Sequence, residues 1–366
     1  MDINKFIEKT YKGRKVFITG HTGFKGSWLT LWLQILGAKI KGYSLQPEGN
    51  KSLYLSLEKN IECESVISDI RNKKKLESEI LNFKPDFIFH LAAKSLVRYS
   101  YLHPLETIET NVNGTANILS SLSKLKNFCN VVIITTDKVY ENKEWIYPYR
   151  EVDALGGYDP YSASKACAEI ITSSMRSSFF NMKNFKSHQK AISTARAGNV
   201  IGGGDYSTDR IIPDIIRAFK KNTPVVLRNP ESTRPWQYVL DPLHGYLLLS
   251  AKMNEEPEKY SGAYNFGPLS DDNLKVKELV KIAIRYWGKG SFKLKKNRNE
   301  PHEAELLKLD ITKAKENLNW IPVLNSSESI SETINWYKDS EKKTTNIFSL
   351  TEKYLNDFIN KIGKRE

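Results

Sequence analysis

Lys15-Val16-Phe17-Ile18-Thr19 runs into Gly20-His21-Thr22-Gly23-Phe24-Lys25-Gly26, a short apolar stretch followed by glycines three apart. A helical pattern follows over 26–36, so the turn joins a buried strand to a helix. Glycine at such a turn permits positive φ and removes the Cβ that would block a diphosphate. The helix start adds unpaired N–H groups and partial positive charge. A glycine-rich turn alone can serve close packing; strand before and helix after favour nucleotide binding. Working outward, strands are expected at 39–44, 86–91, 130–136 and 191–195, with helices near 72–82, 104–124 and 161–176. The strand runs have the length and β-branched content of strands buried on both faces. This predicts an α/β fold, a Rossmann-type doubly wound parallel sheet. Beyond residue 200 helices dominate, at 209–221, 240–252, 273–287 and 326–338. The expected division is a dinucleotide-binding domain over 1–200, with parts of 225–265 returning to it, then a smaller, mainly helical substrate lobe over 201–345. A polar tail follows as a peripheral C-terminal helix over 346–366.

Gly20, Thr22, Gly23, Phe24, Lys25 and Gly26 are the expected phosphate-binding residues. An acidic residue commonly follows the second strand to hold the adenosine ribose, but Tyr43-Ser44-Leu45-Gln46 stands there. Ser44 is a weaker substitute, and no Arg is present to take a 2′-phosphate, which favours NAD over NADP. Asp69 and Ile70 sit where a strand end meets adenine; the competing reading makes Asp69 the cap of the helix behind it.

The chain has 366 residues, 40% of them hydrophobic and 27% charged, which suits a globular enzyme. No run of about 18 apolar residues exists, and the first residues lack a secretion signal, so a cytoplasmic protein that spans no membrane is expected. Cys63, Cys129 and Cys167 and six dispersed histidines show no ligand spacing, so no metal site is expected. The net charge of +13 is spread along the chain without a nucleic-acid-binding motif. An anionic small molecule drawn in by a positive field fits better than nucleic acid.

Tyr161-Ser162-Ala163-Ser164-Lys165 places a phenol and an ammonium four residues apart, on one face of a helix. A free tyrosine, with a pKa of about 10, is a poor base at neutrality. An adjacent ammonium and an oxidised nicotinamide would both favour the phenolate. Together with the turn at 20–26 and His90-Leu91-Ala92-Ala93, this motif resembles the extended branch of the short-chain dehydrogenase/reductases, over residues from about 13 to 340. Within that branch the closest likeness is to the 4,6-dehydratases of CDP-glucose. It rests on Gly20 to Trp28, Thr135-Thr136-Asp137-Lys138-Val139-Tyr140-Glu141-Asn142, Arg234-Pro235-Trp236-Gln237-Tyr238-Val239-Leu240, and His302-Glu303-Ala304 with Leu309-Asp310.

The resemblance implies a hydro-lyase that uses bound NAD to oxidise C4 of a nucleotide-activated glucose, remove water across C5 and C6, and return hydride to C6. Leu91, Ala92 and Ala93 then join the cofactor residues, and Tyr161 and Lys165 serve both cofactor and chemistry. Thr136 would donate to the C4 oxygen, Asp137 act as acid at O6, and Lys138 as base at C5, where sister dehydratases carry Glu. The alternative for Lys138 is a simple ion pair with Asp137 or the capping of a turn. Arg98, Asn199, Arg234 and His302 are expected at the nucleotide sugar, with a surface salt bridge the competing reading for Arg98. A homodimer or dimer of dimers is expected through the helices near 104–124 and 160–176. The nearest rival is a nucleotide-sugar 4-epimerase, which needs no acid–base pair at 137–138. A silent NAD- or RNA-binding protein is the rival from another class.

Overall fold

The computed structural model describes residues 2–47, 49, 51–295 and 306–365. Seven parallel strands form one sheet: β1 (Lys15–Thr19), β2 (Lys39–Ser44), β3 (Cys63–Ile67), β4 (Phe87–His90), β5 (Cys129–Ile134), β6 (Lys190–Ala197) and β7 (Ala263–Phe266), in the order β7-β6-β5-β4-β1-β2-β3. Side chains alternate across it. Val16, Ile18, Phe87, Phe89, Val132 and Ile134 enter one core cluster, while Phe17, Ile88, Val131 and Ile133 enter another on the opposite face. Period-two alternation with both faces covered is the reason these runs read as continuously apolar.

The chain winds from β1 outward to β3, then returns to the other side of β1 as β4. That reversal opens a crevice at the carboxyl ends of β1 and β4, where open sheets of this kind bind ligands. The first core cluster is closed by α1 (Ile3–Tyr11), α2 (Phe24–Ile35), α4 (Leu240–Glu255) and α5 (Ile347–Gly363); α3 (Pro160–Ser178) packs on the other face. α3 starts at Pro160, with the Asp159 side chain accepting from Ser162 N–H at 3.0 Å.

Several expectations need correction. The tail is amphipathic rather than simply polar: Leu355, Phe358 and Ile362 of α5 are buried in the main core. The helix expected over 104–124 is interrupted by a π-helical turn at Glu109–Asn113. The strand expected over 130–136 ends at Ile134, which frees Thr135 and Thr136 to line the crevice. The helix behind Asp69 is capped by Asn72, which accepts from Lys75 N–H, so Asp69 is not its cap. None of the described helices is long and apolar enough to cross a membrane, and no metal-holding group appears among the described residues.

Candidate active site

The glycine turn is built as its spacing requires. A Cβ on Gly26 would lie 2.0 Å from the Gly20 carbonyl oxygen, so only glycine lets the turn close. α2 then begins at Gly23, which offers no side-chain cap, leaving the first-turn N–H groups to a ligand. The turn is tied to its neighbours: Leu91 N–H donates to Thr19 O at 3.0 Å, and Ala92 N–H to the Thr19 hydroxyl at 3.2 Å. Thr22 shares a 2.7 Å hydrogen bond with Ser44, the residue that stands in the ribose-holding position. This cradle fits a dinucleotide diphosphate.

Around the adenine end the expected residues behave differently. The Asp69 carboxylate is gripped by Arg71, with Nη2–Oδ2 at 2.7 Å, which lowers its pKa. Ile70 buries its side chain against Gly114. Only its main chain remains to meet a ligand, because the side chain belongs to the second core cluster.

Thr136, Asp137, Tyr161 and Lys165 are all buried, and Lys138 is half-buried. The Thr136 hydroxyl donates to Asp137 Oδ1 at 2.8 Å, while Asp137 Oδ2 has no hydrogen-bond partner among the described residues. Asp137 is thus not paired with Lys138. A Cβ on Gly198 would meet the Asp137 carboxylate at 2.0 Å, so the glycine makes room for the acid. A small pocket opens here, lined among others by Asp137, Gly198, Gln237, Ser270 and Lys308.

Tyr161 and Lys165 do not meet quite as the four-residue spacing suggests. Lys165 Nζ donates to Ile134 O at 2.9 Å, and burial lowers its pKa to about 8. Burial pushes the Tyr161 phenol up to about 12; a hydrogen bond with Thr136 and the charge of Arg210 pull it back down. In the protein alone, desolvation outweighs nearby charge, so the phenol needs a further positive charge to become a base.

Two contributors escaped sequence reading, Glu169 and Arg210. Glu169 lies one turn beyond Lys165 and is buried, accepting from Thr135 (2.5 Å), Thr194 (2.7 Å) and Arg196 (3.0 Å). Its charge raises the Lys165 pKa against burial. The continuing spacing 161–165–169 was the available signal. Arg210, 3.4 Å from Asp205 and 3.2 Å from Ser95, acts on both Tyr161 and Lys25 but had no motif to announce it. Lys25, expected at the phosphates, donates to Tyr246 at 3.3 Å, and burial, with Arg210 and Lys165, lowers its pKa to about 7.

Of the expected substrate residues, Arg234 is buried on a short strand paired antiparallel with Leu274. Arg98 lies 3.9 Å from Asp209, and Arg228 reaches the same carboxylate at 3.5 Å. Arg98 therefore has the acidic neighbour that a salt bridge requires. Asn199 has a left-handed φ of 51°, and its carbonyl accepts from Gln237 N–H at 3.3 Å. His302, with Glu303 and Ala304, lies outside the described residues.

A parallel sheet with a glycine-rich turn at its switch point, and a Tyr–Lys helix facing the next strand end, defines a short-chain dehydrogenase/reductase of the extended kind. The chain belongs to the GDP-mannose 4,6 dehydratase family, whose model matches residues 17–333. It is 47% identical over 333 residues to CDP-glucose 4,6-dehydratase of Salmonella typhimurium, covering 91% of this chain and 93% of that protein. Among solved structures it is similar to the epimerase Mth375 of Methanothermobacter thermautotrophicus, with a TM-score of 0.77, 21% identity and coverage of 96% and 97%. It is also similar to dTDP-glucose 4,6-dehydratase of Bacillus anthracis in complex with NAD, with a TM-score of 0.72, 22% identity and coverage of 90% and 98%.

Proposed function

We propose that this chain is a hydro-lyase that converts CDP-glucose to CDP-4-keto-6-deoxyglucose and water, using NAD. One observation carries the reading: the end of β5 sets a hydroxyl, a carboxylate and an amine, Thr136-Asp137-Lys138, beside the buried Tyr161 and Lys165. An epimerase would need the tyrosine and lysine but not the acid–base pair. The 47% identity to a CDP-glucose 4,6-dehydratase supports the same substrate.

NAD, when bound in the cradle of α2, supplies the hydride acceptor and, later, the hydride donor. Its positive ring also supplies the charge that the buried Tyr161 lacks. Tyr161 takes the proton of the 4-hydroxyl as the C4 hydrogen leaves as hydride, and Thr136 donates to the C4 oxygen. The ketone acidifies C5. Lys138 takes the C5 proton, Asp137 protonates O6, and water leaves. Lys138 then returns its proton to C5 as C6 receives the hydride that bound NAD would supply. Arg98 and Arg234 hold the nucleotide diphosphate, a task that suits planar guanidinium forks, with Asn199 beside them.

Incubating the protein with NAD and, in parallel, CDP-, dTDP-, GDP- and UDP-glucose tests this reading by product mass. Loss of one water from the CDP sugar is expected. An unchanged mass with an inverted C4 centre would establish the epimerase instead.

The same reading places the enzyme in the cytoplasm, in keeping with three free thiols. It also makes the enzyme a homodimer through α3 and the helices over 104–122. Exposed Leu105, Ile108 and Ile170 on those helices support the assembly. Replacing Leu105 and Ile170 with Lys should halve the mass seen by light scattering; a wild type already monomeric would remove the proposal.

A further inference from the structure

We propose that Gln237 is a positioning residue that holds a proton-carrying water against Asp137, and that the small pocket they share returns to Asp137, from solvent, the proton given to O6. This rests on the reading above, in which Asp137 is the acid. That reading leaves Asp137 one proton short after each turnover. Breaking the C6–O6 bond takes a proton from the Asp137 carboxyl into the departing water. Lys138 takes a proton from C5 and gives one back. Tyr161 gains the O4 proton and yields it to solvent, so the overall reaction consumes none. Asp137 must still be recharged before the next substrate can lose water.

Two buried acceptors share that pocket. Thr136 donates to Asp137 Oδ1 at 2.8 Å, while Oδ2 has no hydrogen-bond partner among the described residues. Gln237 has its amide orientation set by two carbonyls: Nε2 donates to Gly198 O at 2.8 Å and to Phe266 O at 3.1 Å. Only the NH₂ end can serve two carbonyls, so Oε1 points away from both. It too lacks a partner among the described residues. Asp137 and Gln237 are 2% and 1% exposed, and both line the pocket. Two buried acceptors cannot satisfy each other, so a donor must lie between them. Water is the donor that fits: the pocket has room for about one, and a buried water needs roughly two to four polar partners.

The pocket also leads outward. Its wall includes the exposed Leu269 and Ser270 and the half-buried Lys308, whose ammonium lies 3.4 Å from Ser270 O. Thr136, Tyr161 and Lys165 are not among its lining residues, so the route reaches the acid from a side that the phenol and its lysine do not share. At each recharge the held water gives a proton to Asp137 Oδ2 and takes one from a water or a buffer acid at the mouth. One O–H bond forms for each that breaks, and the carboxylate becomes a carboxylic acid again. Gln237 Oε1 accepts the water's second hydrogen and so aims the first at Oδ2.

The test compares one turnover with many, in enzyme loaded with NAD. With enzyme in excess over CDP-glucose, each site works once, on the proton that Asp137 already holds. With CDP-glucose in excess, every later turnover waits for the inlet. Gln237→Leu should keep the single-turnover rate within about twofold of wild type and lose about 10²-fold in steady turnover, the low end for a lost acid–base step. Added imidazole should restore steady turnover of the variant in proportion to its protonated form and leave wild type unchanged. Gly267→Val fills the pocket from a position where a Cβ meets nothing closer than 3.5 Å, with both Gln237 amide bonds in place. It should show the same split, and it decides the matter if Gln237→Leu does not fold. Single-turnover and steady rates that fall together would mean that Gln237 serves the fold alone, and both rates at wild-type level would mean that this water carries no proton. A wild type that yields no dehydrated product from CDP-glucose would instead sink the proposed function, so the two failures are distinguishable.

Discussion

Glu169 sits at the hub of the buried polar cluster beneath the site, with Arg196, Thr135 and Thr194 all donating to it. Arg196 also donates to Tyr140 at 2.8 Å, and Tyr140 donates to Asn265 at 2.7 Å, so the cluster spans β6, β7 and α3. Glu169→Gln leaves a buried guanidinium without its counter-charge, and such a break costs about 3–5 kcal/mol. Denaturant unfolding should register that loss, whereas an unchanged midpoint would mean that water replaces the pair. The same change should lower the Lys165 pKa further, because the only charge raising it is gone. At Lys138 the expected outcome is chemical rather than structural. Lys138→Ala should keep NAD binding and the tertiary fold but lose deuterium incorporation at C5 from solvent. Undiminished incorporation would remove Lys138 from the mechanism. Tyr161 and Lys165 were legible because helix spacing alone puts them on one face. Arg210 was not, because only tertiary folding carries it to the mouth of the site from a loop nearly 50 residues away.

α2 shows how far an element can be read before the fold is known. Its glycines fix the turn, and its apolar residues, Trp28 to Leu33, are buried without a polar stripe because the helix lies between sheet and α4. Gly26→Ala would drive a methyl group into the Gly20 carbonyl, so the turn must open. Titration with NAD should then show a loss of affinity of at least tenfold, while a circular dichroism spectrum like that of wild type confirms that the remaining elements persist. Retained affinity would mean that the diphosphate does not lie on this turn. Strands β1, β4 and β5 were legible for a related reason: their short apolar runs, buried on both faces, stand out as blocks, whereas β2 and β6 mix polar with apolar residues. β3 and β7 were not. β3 is an edge strand reading Cys-Glu-Ser-Val-Ile, with Glu64, Ser65 and Ile67 exposed along it, and β7 has four residues including a buried Asn265 that serves the polar cluster. α1 lies before the first strand and was left unassigned, although Asp2 caps it by accepting from Lys5 N–H. Its packing partners, α4 and α5, come from more than 200 residues further on, so no local pattern declares what it covers.

For the molecule as a whole, stability against pH follows from groups buried in one charge state. Burial lowers His21 and His244 to about 4 and His90 to about 3. His90 is held neutral between the Thr19 and Thr115 hydroxyls, at 2.7 and 3.1 Å, so it is locked where the sheet opens. A histidine whose folded pKa is depressed contributes stability that is fully present above its unfolded value, about 6.5, and lost as pH falls toward the folded value. Each such group costs about 1.4 kcal/mol for every pH unit below 6.5. Asp241 acts in the opposite sense, because burial raises it to about 7. From pH 7 down to about 4 the folded state binds that proton and the unfolded chain does not, so acidification stabilises the fold at this position. Glu151, raised by burial, adds to the same side at lower pH. Near pH 6 one histidine is offset by Asp241 and two are not, so stability should fall by about 2–3 kcal/mol per pH unit below 6.5. Thermal melts between pH 7.5 and 5.5 should therefore show a falling midpoint. Replacing His244 with Gln should flatten the slope by about one proton. A midpoint that stays level or rises over this range would mean that these imidazoles reach water in the folded protein, and the closed packing around β1, β4 and α4 would have to be redrawn.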